Sequence, residues 1–346
     1  MTATVAAMEE ILVRKDPTFI HRSITRWRPP IRQLITVLGT VFICVACAND
    51  SPPEGQAGFV AGNFGGVVSD EPRSALIGRD ILSAGGNAVD AIVATYFALS
   101  VTYSGAATLG GGGICVVYRG QEETAEAIDF RPTLFAMGNR AVMIPGSVRG
   151  MYALHARYGR LKWETLLLPA ERLARFGNPV ARALARQIAR LPDTAFTDPD
   201  FRRIFSPRGK RIAESEVLLQ EELSTILAGI RLRGPSGFYS GDLAGVLASD
   251  LGRMAGILVP VDVFRSYQPK WLKTEIVGVG KNELHLPAGP NGQRAAAVWR
   301  ALADNRLPPT QVPQPSSDSA GFVAIDVNGG AVSCVVSANG TAGSGR

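Results

Sequence analysis

Histidine and cysteine are both scarce in this sequence. Its 346 residues include three histidines and four cysteines. Small domains held together by disulfides contain far more cysteine, so this chain has to fold around a hydrophobic core. Zinc needs three or four protein ligands close together. His155 and His285 each stand alone in the body of the chain, and His21 lies near the N-terminus. We therefore expect neither a metal nor a cofactor.

The sequence also has few features that would indicate binding of nucleic acids or nucleotides. The net charge is +6, and residues 1–46 supply half of it, with six basic against three acidic residues. The remaining +3 is too small to indicate nucleic acid as a partner. Four consecutive glycines, residues 110–113, precede an apolar stretch, but no lysine follows them at P-loop spacing. Glycine here more simply allows two backbones, or a backbone and a ligand, to approach closely.

The apolar run at residues 34–48 is shorter than the roughly 20 residues that span a bilayer. A basic segment precedes it and small residues end it, as in a secretory signal. Cys47 closes a Cys-Val-Ala-Cys sequence that resembles a lipidation signal. An ordinary cleaved signal and an anchor helix are the alternatives. We expect residues 1–50 to be a leader with possible membrane anchoring and 51–58 to be a tether. The protein would then be exported, as a periplasmic protein or outer-membrane lipoprotein of a bacterium.

Helical and strand patterns alternate in the body of the chain and predict an α/β (α+β) fold. Helices are expected after Glu71, after Asn87 and after Gly146, and a polar loop at 195–212. Asp90, near a helix start, is expected to be a capping partner. Cys115 is expected to be a buried small hydrophobic residue, and Glu171 and Arg172 to lie on a solvated helix face.

The final stretch, residues 319–345, has the pattern of a β-hairpin that turns at Asn328-Gly329-Gly330. Ser319 would begin the first strand. Ser337 and Asn339 would share one face of the second strand, since side chains alternate along a strand. These two hydroxyls and one amide form a candidate catalytic cluster. The alternative for Ser319 is a hydroxyl that caps a turn.

This stretch resembles the start of the small subunit of the γ-glutamyltranspeptidases (glutathione hydrolases), which are N-terminal-nucleophile hydrolases. Serine replaces the family's threonine at 319, Gly321 replaces a histidine, and Arg346 ends the chain. The glycine run and Asp129-Phe130-Arg131 also resemble the family. The matching positions of the hairpin stretch are Ser319, Phe322, Asp326, Gly329, Ser337, Asn339, Gly343 and Gly345.

The resemblance implies the four-layer αββα sandwich with its C-terminal part missing, a large-subunit-like region at 59–318 and the start of a small-subunit-like region at 319–346. It implies self-cleavage between Asp318 and Ser319, with Ser319 then acting as nucleophile and its new amine as base. Ser337 and Asn339 would assist. Arg131 would hold the substrate's α-carboxylate, whereas its spacing alone favours a surface arginine paired with a nearby acid.

The implied substrates are glutathione or other γ-glutamyl compounds, and a separate small-subunit-like chain is a possible partner. One alternative stays within the enzymes: an acylase of the same superfamily that cleaves another amide. Arg131 argues against it, because its guanidinium suits an amino acid's carboxylate. The other alternative is a non-catalytic relic, or a lipoprotein that binds a ligand or a partner.

Overall fold

The computed structural model describes residues 65–279, 281–304, 306 and 318–338. The predicted leader with Cys47, the tether, Asn339 and the proline-rich residues 307–317 lie outside these residues. The predicted division into leader, tether, large-subunit-like and small-subunit-like regions therefore stays a prediction.

Eleven helices and eleven strands are found in the described residues. The helices are α1 (Pro72–Ser83), α2 (Ala88–Thr102), α3 (Ser147–Tyr158), α4 (Trp163–Phe176), α5 (Arg182–Arg190), α6 (Pro199–Phe205), α7 (Glu221–Arg233), α8 (Ser236–Tyr239), α9 (Gly241–Ala255), α10 (Val261–Ser266) and α11 (Pro290–Ala303). The strands are β1 (Gly65–Ser69), β2 (Gly112–Arg119), β3 (Thr124–Asp129), β4 (Thr133–Met137), β5 (Arg140–Ile144), β6 (Asn178–Pro179), β7 (Val217–Leu218), β8 (Lys270–Val279), β9 (Asn282–Pro287), β10 (Ser319–Asp326) and β11 (Ala331–Ser337).

Side-chain caps define the starts of α1 and α2. The carboxylate of Glu71 accepts hydrogen bonds from the first backbone N–H groups of α1, and Pro72 occupies the position where no N–H is needed. Asn87 and Asp90 form a reciprocal capping box at α2. Asp90 is fully buried and also accepts the backbone N–H groups of Arg160 and Leu161. Its predicted role as a capping partner is confirmed.

Seven strands form one sheet in the order β1-β10-β11-β2-β3-β8-β9, and every neighbouring pair is antiparallel. The predicted C-terminal hairpin, β10 and β11, lies in the interior of this sheet, between β1 and β2. Strand β1, the first in sequence, therefore pairs with β10 of the C-terminal hairpin. This pairing joins the two ends of the described chain.

Helix α2 covers one face of the hairpin, and all of its residues are buried. The strand residues that face it are at most 1% exposed, namely Ala320, Phe322, Ala324, Val332, Cys334 and Val336. On the opposite face, Val68, Ile325 and Val335 are each at least half exposed. The described chain thus supplies a helical layer and a sheet whose second face carries exposed apolar side chains.

Asp326 joins the hairpin to helix α2. One carboxylate oxygen accepts the N–H groups of Asn328 and Gly330 in the turn, at 2.9 and 3.0 Å. The other accepts the N–H of Ala88 at the start of α2, at 3.0 Å. A carboxylate at a helix N-terminus is favoured by the helix dipole. One side chain therefore fixes both the turn and the position of the hairpin against the helix.

Cys115 is buried, as expected, but it also forms a disulfide with Cys334. Two expectations from the sequence are wrong. Glu171 is only 6% exposed, because α4 packs against α7 and places its carboxylate 2.7 Å from the guanidinium of Arg231. The stretch at 195–212 contains helix α6, whose first turn is stabilised by Asp198, since its carboxylate accepts the N–H of Phe201. Arg172 is exposed, as expected.

We expect Asp326→Ala to lower the free energy of unfolding by about 2–3 kcal/mol, because it removes the acceptor of three backbone N–H groups. Urea denaturation followed by circular dichroism measures this. The matched control is Asp262→Ala, whose carboxylate is 85% exposed and pairs with Arg265. The control should change stability by less than about 0.5 kcal/mol. Equal effects of the two substitutions would contradict the assigned role of Asp326.

Candidate active site

Three small residues lie side by side at one end of the sheet. Ser319, the first residue of β10, pairs directly with Ser337, the last residue of β11. Ser337 in turn pairs with Gly112, the first residue of β2. Neighbouring strands are about 4.8 Å apart, so the backbone of Ser319 lies roughly 10 Å from that of Gly112. The structure therefore brings together two of the three predicted catalytic residues, next to the glycine run.

The glycine run permits this close packing. A Cβ atom on Gly111 would lie 2.3 Å from the carbonyl oxygen of Ser337, and one on Gly112 would lie 2.4 Å from the carbonyl oxygen of Phe130. The carbonyl of Gly111 accepts N–H groups from Gly146 and Ser147, at 3.0 and 3.2 Å. The expected close approach of backbones is confirmed. The run joins the end of β11 to the end of β3 and to the start of α3.

The peptide bond before Ser319 is held at the same edge. Asp318 is 8% exposed, and its carbonyl oxygen accepts the backbone N–H of Ala338 at 3.0 Å. This is the carbonyl that Ser319 would attack in self-cleavage. Burial, together with the negative charges of Asp70 and Asp318, raises the pKa of the nearby Tyr103. The side chain of Tyr103 is therefore neutral at neutral pH, and it lies close enough to Asp318 to interact with its charge.

Arg131 follows β3 and lies next to Gly112, since a Cβ on Gly112 would be 2.8 Å from the Cα of Arg131. Its side chain is 55% exposed and makes a fork-like pair with Asp129: Nη2 to Oδ2 is 2.6 Å, and Nε to Oδ1 is 3.0 Å. Both interpretations from the sequence are compatible with this geometry. The arginine has an acidic partner, yet it stands at the same sheet end as Ser319 and Ser337.

Burial alone would raise the pKa of Asp129. The hydrogen bonds and charge of Arg131, together with the charge of Lys270, outweigh burial and hold this pKa below its ordinary value. The pairing with Asp129 also raises the pKa of the Arg131 guanidinium. Both groups are therefore charged at neutral pH, so Arg131 presents a fixed positive charge at this edge.

Two tyrosines and an arginine support the backbone at Arg131, and no sequence motif indicates them. Tyr267 donates its hydroxyl to the carbonyl of Arg131 at 3.0 Å, and its ring stacks on Tyr239 with centroids 6.2 Å apart. Tyr239 donates to the carbonyl of Pro145 at 3.0 Å, and the guanidinium of Arg149 lies over the Tyr239 ring. Burial raises the pKa of both tyrosines, so both stay protonated as donors. Only their spatial arrangement identifies them.

Within the described residues, no group of three or more His, Cys, Asp or Glu side chains is arranged to hold a metal ion. In the same part of the chain, no helix has the length and apolar character needed to cross a membrane.

We expect Arg131→Ala to raise the pKa of Asp129, because burial of the carboxyl remains while its main counter-charge is lost. The pair stabilises the fold above the ordinary carboxyl pKa of about 3.9, and this stabilisation is lost as the pH falls through the lower folded value. A ¹³C-NMR titration of the Asp129 carboxyl measures the change. Arg131→Lys keeps the charge and should shift this pKa less. An unchanged titration in Arg131→Ala would contradict the assignment.

The family model described as gamma-glutamyltranspeptidase matches residues 74–305. Glutathione hydrolase 3 of Arabidopsis thaliana is 31% identical over 243 residues, which are 66% of this chain and 38% of that protein. The chain thus spans well under half the length of this curated relative. The match to the family model ends at residue 305, upstream of Ser319. It therefore does not depend on the hairpin.

Solved structures give the same picture. The gamma-glutamyltranspeptidase from Pseudomonas nitroreducens, complexed with L-DON, is 30% identical, with a TM-score of 0.59 over 69% of this chain and 74% of that one. The cephalosporin acylase from Bacillus halodurans has a TM-score of 0.66 over 86% of this chain and 70% of that one, but is 20% identical. The second likeness concerns the fold alone, and it confirms the predicted fold class. From its match to the family model and its relatives, this chain belongs to the gamma-glutamyltranspeptidase family, within the N-terminal-nucleophile hydrolases.

Proposed function

We propose that this protein cleaves γ-glutamyl amides such as glutathione, after first cutting its own main chain between Asp318 and Ser319. The observation that carries the proposal is the paired arrangement of Ser319 with Ser337, beside a scissile carbonyl that already accepts a backbone hydrogen bond. The family membership supports the reaction class. The roles of the individual residues, Ser319, Ser337, Asn339 and Arg131, are part of what we propose.

In the first step, the hydroxyl oxygen of Ser319 attacks the carbonyl carbon of Asp318. The C–N bond breaks, the nitrogen takes up the hydroxyl proton, and an ester links Asp318 to the Ser319 side chain. Water then hydrolyses the ester, which leaves a carboxylate on Asp318 and a free amine on Ser319. The N–H of Ala338 points at the oxygen that becomes negative during the attack. Loss of one such donor costs about 10²–10³ in rate in well-studied hydrolases.

In the second step, the new amine serves as the base. An α-amino group has a pKa of about 8, so it can accept the Ser319 hydroxyl proton near neutral pH. The hydroxyl oxygen attacks the γ-carbonyl of the substrate, and the substrate's amine leaves with a proton. The resulting γ-glutamyl ester passes to water or to an amino acid. Ser337 and Asn339 would orient the amine and the hydroxyl.

Arg131 would bind the α-carboxylate of the γ-glutamyl group. By strand spacing, its backbone lies roughly 14 Å from Ser319, so the long arginine side chain and a small substrate together would bridge the distance. A guanidinium has five N–H donors, and Asp129 engages only its Nε and Nη2. The hydrogen bond from Tyr267 to the Arg131 carbonyl fixes the base of that side chain.

Full activity would need a further layer over the exposed face of the sheet, supplied by additional chain or by a separate small-subunit-like protein. The exposed Val68, Ile325 and Val335 support this requirement. The non-catalytic relic or binding lipoprotein and the acylase for another amide remain the alternatives. Arg131 favours the γ-glutamyl substrate over the acylase alternative.

We also propose that the protein is exported, with Cys47 as the lipidated residue. The Cys115–Cys334 disulfide supports an oxidising compartment, because disulfides persist outside the reducing cytosol.

Self-cleavage predicts a fragment of 28 residues beginning at Ser319, seen on a denaturing gel run with reductant. Ser319→Ala should abolish the fragment, because it removes the attacking hydroxyl. The matched control is Ser333→Ala, an exposed serine on the same hairpin, which should cleave like the parent protein. A fragment that persists in Ser319→Ala would disprove the proposed nucleophile, and its absence from the parent protein would favour the relic.

Substrate binding predicts a loss of kcat/KM for γ-glutamyl anilide hydrolysis in Arg131→Ala. A hydrogen bond to a charged group contributes about 1.5–3 kcal/mol, so the loss should be roughly 10- to 150-fold. Arg253→Ala, which alters an exposed arginine paired with Asp250, should leave kcat/KM unchanged. If both variants behave alike, Arg131 does not bind the substrate.

A further inference from the structure

The disulfide between Cys115 and Cys334 joins two strands that are far apart in sequence. Cys115 lies on β2 and Cys334 on β11, at a sequence separation of 219, and both are at most 1% exposed. They are direct partners in the antiparallel ladder. The proposed cleavage point, before Ser319, falls between them in the sequence.

We infer that this disulfide keeps the two chains covalently joined after the main chain is cut. The inference rests on the proposed function for the cut itself, but the link exists independently of it. Cys334 is the single cysteine downstream of Ser319, and Cys44, Cys47 and Cys115 all precede it. Within this sequence, a disulfide between the two products would therefore involve Cys334.

The small product needs such a link. In the described residues, this product contributes one hairpin, β10 and β11, and an isolated two-stranded hairpin is at best marginally stable in water. The described part of the hairpin is attached through the ladders to β1 and β2 and through the buried face against α2. Before the cut these contacts form within one chain. After the cut they would form between two chains, and a covalent link keeps their effective concentration high at any dilution.

The position of the disulfide also preserves the register of the active-site edge. The Cys115–Cys334 pair lies three positions along the ladder from the Gly112–Ser337 pair. A slip of one residue would move every side chain of β11 to the opposite face. A covalent bond between paired residues forbids that slip, so it holds Ser337 opposite Gly112 when the connection through residue 318 is gone.

The redox chemistry is that of ordinary thiol–disulfide exchange. When the bond forms, the two thiols lose two protons and two electrons to a disulfide-containing oxidant, which becomes a dithiol. A dithiol reductant such as dithiothreitol reverses the reaction: it returns both cysteines to thiols and is itself oxidised to a disulfide.

The direct test compares one purified sample on two denaturing gels, after free thiols are blocked with iodoacetamide. With reductant, the 28-residue fragment should appear. Without reductant, it should stay at the mass of the whole protein. A fragment released on both gels would overturn the covalent link while leaving the proposed cleavage intact.

A second arm makes the test independent of self-cleavage. A site-specific protease sequence replaces residues 311–316 in the full-length Ser319→Ala variant, with Cys44→Ser and Cys47→Ser so that only one pairing is available. After digestion, the C-terminal fragment should separate only with reductant. The matched variant with Cys334→Ala should release it on both gels. If the Cys334-containing protein also releases the fragment without reductant, the inference is wrong.

Discussion

The antiparallel register shared by β10, β11 and β2 is the constraint on which the rest of the structure depends. It sets Ser319 opposite Ser337 and Ser337 opposite Gly112. Because side chains alternate along a strand, the same register sends Phe322 and Cys334 into the core. The chemistry of the edge and the packing of the interior are therefore two consequences of one alignment. The absence of a Cβ at Gly112 lets the backbone at Phe130 reach that edge.

The charged groups at the sheet end that carries Ser319 are already held in place by the protein itself. The guanidinium of Arg131 is oriented by Asp129, and the backbone beneath it is held by Tyr267. The carboxylate of Asp129 would orient the guanidinium and also compete with an incoming carboxylate for it. Oriented donors of this kind lose little entropy on binding. In the proposed binding of an α-carboxylate, Asp129 would therefore both orient the arginine and lower its affinity for that carboxylate.

Much of this arrangement could be predicted from local sequence signals. The C-terminal hairpin, the glycine run, the helix start after Glu71 and the capping by Asp90 depend on neighbouring residues, and the structure confirms them. Features that depend on distant parts of the chain could not be predicted. The spacing of Cys115 and Cys334 carries no information about strand pairing. The burial of Glu171 depends on how α4 meets α7, and the contribution of Tyr267 depends on the position of its hydroxyl in space.

The most direct test of the central claim, that the Ser319 oxygen carries the γ-glutamyl group, is to locate that group on the protein. Mature protein is mixed with a γ-glutamyl anilide, quenched in acid within one turnover, and mapped by tandem mass spectrometry. We predict a γ-glutamyl ester on the Ser319 side chain, in a peptide whose first residue is Ser319. An acyl group on another residue, or turnover by a chain that is still uncut before Ser319, would contradict it.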